Sequence, residues 1–68
     1  MRIDKNKLEI ILARQEKSYS DLRESIRPEM LARIRNDPEY EIPTKAAGKL
    51  SRALGVDVTD ILKNENIA

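Results

Sequence analysis

The sequence predicts an all-α fold of five short helices, and three observations carry that expectation. Aliphatic residues recur at helical spacing: Leu8, Ile11 and Leu12, then Leu31 and Ile34, then Ala47, Leu50 and Leu54. Pro28 directly follows Arg27 and has its backbone dihedral preset for the first turn of a helix, so it marks a break between two helices. Gly55 ends a helix as glycine commonly does, and Asp57 can cap the next one.

Taken in order, Asp4 or Asn6 can cap a first helix running to about Lys17, with Leu8, Ile11, Leu12 and Gln15 on one face. Ile10 falls off that face and is expected to be partly exposed. Ser18 or Ser20 opens a second helix over residues 20–25, anchored by Leu22, with Asp21 favouring its positive end. At barely two turns it depends on packing. Ile26 and Arg27 form a joint, with Arg27 pushed toward extended geometry by the proline after it. The third helix spans Pro28–Asn36 and turns Leu31 and Ile34 inward. Residues 36–43 read as a loop from their turn residues and prolines. A fourth helix, Thr44–Leu54, buries Ala47, Leu50 and Leu54 and carries Lys45, Lys49 and Arg52 as a basic stripe. A last helix from Val58 to about Lys63 closes the core with Ile61 and Leu62. The domain is expected at residues 1–63, with a loose tail at 64–68. Two short helices set at an angle, as at residues 20–36, are the core of a helix-turn-helix unit, whose second helix can enter the DNA major groove.

Composition narrows the function. The chain has 68 residues, enough for one small domain, and no cysteine or histidine. It therefore has no disulfide framework, no thiolate metal site and no imidazole base. Tyr19 and Tyr40 are its only aromatics, so the core must be aliphatic. No apolar run approaches the ~20 residues of a membrane span and no leader pattern opens the chain, so a soluble cytoplasmic protein is expected. The net charge is +1, but it is unevenly spread. Arg27, Arg33 and Arg35 face only Glu29, and Lys45, Lys49 and Arg52 face no acid, whereas Asp37, Glu39 and Glu41 make the loop acidic. Such sidedness suits a protein with one DNA-facing surface.

The order of elements resembles the Cro/repressor-type, or XRE-like, helix-turn-helix family over about residues 8–62. The segments that carry it are DLR at 21–23, RPEMLARI at 27–34 and LSRALGVDVTDIL at 50–62, the last similar to the family's closing signature. The resemblance implies a compact five-helix, lambda-repressor-like DNA-binding domain with the helix-turn-helix at helices 2 and 3. Two departures stand out. The joint at residues 25–27 is shorter than the family's and lacks its glycine, and the 36–43 loop is longer and acidic.

On this resemblance, Arg27, Glu29, Met30 and Arg33 occupy the base-reading positions. Arginine suits guanine, glutamate can accept from cytosine and methionine can pack on a thymine methyl. Tyr19, Ser20, Arg23, Arg35 and Lys45 are the expected phosphate contacts. Capping is a second role for Ser20, and packing on the first helix an alternative for Tyr19. Lys49 and Arg52 read as solvated surface. The carboxylate pairs Asp21 with Glu24 and Asp57 with Asp60 are explained by caps and surface charge rather than by catalysis or a metal.

The expected function is a sequence-specific, DNA-binding transcriptional regulator, a repressor similar to those of phages and mobile elements. It would bind double-stranded DNA as a homodimer on half-sites about 34 Å apart, with no cofactor, metal or membrane. The alternative is a protein-binding adaptor on the same scaffold, anti-repressor or antitoxin-like, using the acidic loop 36–43 to hold a protein partner.

Overall fold

Asp4 opens the first helix. Its Oδ1 accepts the backbone N–H groups of Asn6 at 3.0 Å and Lys7 at 3.2 Å, which satisfies donors that a helix leaves free at its start. In the computed structural model, which describes residues 1–63, helix α1 (Lys5–Arg14) begins at this cap and buries Leu8, Ile11 and Leu12. The tail at 64–68 lies outside the described residues.

Helix α1 stops short of Lys17. Glu16 turns into the left-handed region at φ 55°. The Lys17 N–H then reaches back to the Leu12 carbonyl at 2.8 Å, and the Glu16 N–H to that of Ala13 at 3.2 Å. This is a Schellman end, in which glycine usually holds the left-handed position. Helix α3 (Thr44–Leu54) ends the same way, with Gly55 at φ 67°, Gly55 N–H on the Arg52 carbonyl and Val56 N–H on the Ser51 carbonyl. The Gln15 Nε2 donates to the Leu54 carbonyl at 2.7 Å and so ties the two helix ends together.

Two of the five expected helices are single 3₁₀ turns. Where the sequence suggests a helix at 20–25, the chain forms a turn at Tyr19–Leu22 and further turns up to Ile26. Ser18 opens it, its N–H donating to the Asp21 carboxylate at 2.7 Å. So short a segment gains too few backbone bonds to establish an α-helix, and it is cut off by Arg27, which is extended at φ −62° and ψ 145° ahead of Pro28. Helix α2 (Pro28–Asn36) begins there and buries Leu31 and Ile34.

The second 3₁₀ turn, Val58–Asp60, replaces the last expected helix. Asp57 caps it, accepting the Thr59 N–H at 2.9 Å, and this bond holds the Asp57 carboxyl below the usual carboxylate value. Helix does not continue because the beginning of the chain captures the next residues. The Asp4 N–H donates to the Ile61 carbonyl at 2.8 Å, the Lys63 N–H to the Arg2 carbonyl at 2.9 Å, and Ile3 bridges to Leu62. Arg2 bridges to Glu41 on its other side, and the Ile42 N–H donates to the Met1 carbonyl at 2.7 Å. Residues 1–3 therefore run between the 37–43 loop and the closing segment.

The fold is all-α, with three α-helices and no strand among the described residues beyond these isolated bridges. Its core is aliphatic, centred on Leu8, Ile42, Leu50 and Ile61. Ile3, Ile26 and Ile42 join it from outside the helices, whereas Leu62 packs on its edge. No helix among the described residues is long and apolar enough to cross a membrane.

Candidate nucleic-acid interface

Helix α2 turns its residues by 100° each. With Leu31 and Ile34 inward, Glu29, Ala32 and Arg33 fall on the outer face, and all three are exposed. Pro28 and Arg35 fall on one edge and Met30 on the other. Each edge borders a cleft.

The first cleft, about 200 Å³, lies between α2 and the Tyr19–Leu22 turn and is lined by Tyr19, Ser20, Arg23, Pro28 and Arg35 among others. Four of the five expected phosphate contacts thus share one wall-to-wall opening. The Arg35 guanidinium stacks over the Tyr19 ring at 4.8 Å from its centroid, a cation–π geometry that fixes an otherwise mobile side chain. The Tyr19 hydroxyl donates to Glu9 Oε2 at 3.0 Å, so the packing role on the first helix accounts for its hydroxyl as the structure stands. The Ser20 hydroxyl lies 2.7 Å from that of Ser18 and caps no helix.

Burial, together with the hydrogen bond to Glu9 and its negative charge, pushes the Tyr19 phenol up to about 12. Arg35 opposes this shift. Because the folded value lies above the ordinary 10.0, the unfolded chain releases this proton first. Stability is then intact below pH 10 and falls as pH rises towards 12. Tyr19→Phe is expected to lack this part of the alkaline loss. Urea unfolding of both proteins at neutral pH and at about pH 11 checks it, and equal alkaline losses would refute it.

The second cleft, about 230 Å³, lies between the start of α2 and the start of α3. Met30, Pro43, Ala46 and Ile26 form its apolar floor, and Arg27, Lys45 and Lys49 stand around it. None of these three cations forms an ion pair among the described residues. Lys45 is therefore separate from the other expected phosphate contacts and beside Arg27 and Met30 instead. Lys49, read from the sequence as solvated surface, belongs to this group. Its spacing of four from Lys45 was the available signal, since both fall on one helix face. Arg52 lines neither cleft.

Arg27, Lys45 and Lys49 border the start of α2, and its last turn carries Arg33 and Arg35. Past its end, the acidic loop bonds to its own chain: Glu39 pairs with Arg2 at 3.5 Å, and Asp37 Oδ1 accepts the Glu39 N–H at 3.0 Å. Arg33 leans towards that end, 5.6 Å from the Tyr40 ring centroid, which draws it away from Arg27. The four expected base-reading residues therefore divide. Glu29 and Arg33 share the outer face, Arg27 precedes the helix start and lines the second cleft, and half-buried Met30 lines that cleft too.

No family model, curated protein or solved structure matches this chain.

Proposed function

We propose that the protein is a sequence-specific regulator of transcription that binds double-stranded DNA by laying the outer face of α2 in the major groove. The observation that carries this reading is the placement of cations on both sides of that face. Arg23 and Arg35 line the cleft on one edge of α2, and Arg27, Lys45 and Lys49 surround the cleft on the other. An α-helix about 10–12 Å across fills a groove about 12 Å wide, so the phosphates lie along both edges of an inserted helix. The Tyr19–Leu22 turn and α2 then act as the two halves of a helix-turn-helix, and the five segments as a lambda-repressor-like domain in which two helices have contracted to 3₁₀ turns. Glu29 and Arg33 would meet base edges, with Arg27 at the helix start, where such units read sequence. Repression would follow from blocking polymerase, and a homodimer on paired half-sites would double the few contacts one small domain offers.

Titration of duplex DNA at several salt concentrations tests the reading. Four phosphate-facing cations per protomer, Arg23, Arg35, Lys45 and Lys49, predict a slope of log K against log salt of about −3 to −4. A slope shallower than about −1, or no enriched sequence after selection from a random duplex pool, would overturn it. The exposed carboxylates Asp37, Glu39 and Glu41 of the loop at 36–43 favour the second reading, a protein-binding adaptor, which the absence of enrichment would support.

A further inference from the structure

Helix α1 has a second exposed flank. Glu9, bonded to Tyr19, lies on one side of its buried stripe, whereas Lys7, Ile10 and Arg14 lie on the other, spaced three and four residues apart. Ile10 is 53% exposed, a large aliphatic side chain left in water. Beside it runs a groove of about 290 Å³ lined by Lys7, Ile10, Ile11, Arg14, Val56 and Asp60. Its α1 wall carries only positive charge and its far wall carries Asp60. Lys7 is held within the chain, its Nζ donating to the Leu62 carbonyl at 3.3 Å. Arg14 and Asp60 form no ion pair among the described residues, although they line the same groove. Asp60 is fixed in place because its Oδ2 accepts the Asp57 N–H at 3.2 Å, which leaves Oδ1 for another donor.

We propose that this groove binds a second copy of the chain, with Ile10 packed on Ile10 about a twofold axis and Arg14 of each copy paired with Asp60 of the other. A twofold contact must be self-complementary. This groove meets that condition, because it offers an apolar centre, one unpaired cation and one unpaired anion on opposite walls. The contact also leaves the Tyr19 cleft open, since the two share no lining residue. Each copy brings one exposed isoleucine and one ion pair to the contact. A standard interface takes about 800 Å² from each partner, with many side chains, so a contact built on these few belongs to the weak, transient class. It supplies a surface for the homodimer of the DNA-binding reading, but it is measured without DNA, so either idea can fail alone.

Sedimentation equilibrium from about 10 μM to 1 mM tests it. The average mass of the native protein is expected to rise towards twice that of one chain. Ile10→Lys and Arg14→Asp, both at exposed positions, are each expected to weaken association at least about tenfold, and Arg14→Lys to retain most of it. A native protein that keeps the mass of one chain at 1 mM overturns the proposal. So does association that survives Ile10→Lys and Arg14→Asp unchanged.

Discussion

Ile61→Ala is expected to lower the unfolding free energy by about 2–5 kcal/mol, the range for emptying a fully buried aliphatic site. Ile61 has no exposed surface. It comes directly after the Val58–Asp60 turn, and its carbonyl receives the Asp4 N–H, so it links the end of the core to the cap of α1. A single core in a domain of this size supplies only about 3–5 kcal/mol. The variant should therefore lose between about half and all of its stability, whereas Ile61→Val should lose only about 0.5–1.5 kcal/mol. Thermal unfolding monitored by circular dichroism measures both. For a chain this short each kcal/mol shifts Tm by roughly 4–8 °C. A drop of only a few degrees in the alanine variant would mean that the closing segment is not part of the core.

The second large effect is on DNA binding. Replacing Arg23, Lys45 and Lys49 together by alanine removes cations from both edges of α2. The salt slope should flatten by about three, and affinity at moderate salt should fall on the order of a hundredfold, equally for all duplexes. All three residues are exposed, so the helical signal should be unchanged. Arg27→Ala should act differently, costing about 1–3 kcal/mol at one base pair and relaxing selectivity there. Competition titrations against a panel of duplexes separate these outcomes. An unchanged slope in the triple variant would place the interface elsewhere on the molecule.

The helices were legible where a local rule decided them. Pro28 set the start of α2, Gly55 the end of α3, and the spacing of Leu8, Ile11 and Leu12 the buried face of α1. The end of α1 was not legible, because Glu16 takes a left-handed position that residues of its type rarely occupy. The two contracted helices were located but not classed correctly, since their form depends on the chain around them. Arg27 before a proline cuts off one, and capture by residues 2–4 cuts off the other. That capture has no local signature. Ile3 and Ile42 are single aliphatics in polar surroundings and show no periodicity to mark them as core. At the candidate interface, residue type suggested the cations, but only the angle between α2 and α3 could place Lys45 and Lys49 in a cleft with Arg27.

The pairing of Ile3 with Leu62, and of Asp4 with Ile61, also sets an order of events during synthesis. Ile3 and Asp4 are synthesised well before Leu62 and Ile61, the closing residues they pair with. Helices α1 and α2 can form from nearby sequence, but the cap of α1 and the seat of Ile3 stay open until the closing turn emerges. Bringing such distant residues together carries a loop-closure entropy that the contacts offset only once both segments are present. Until residues 61–63 emerge, a nascent chain therefore leaves the aliphatic surface of Ile3 without the partners that cover it.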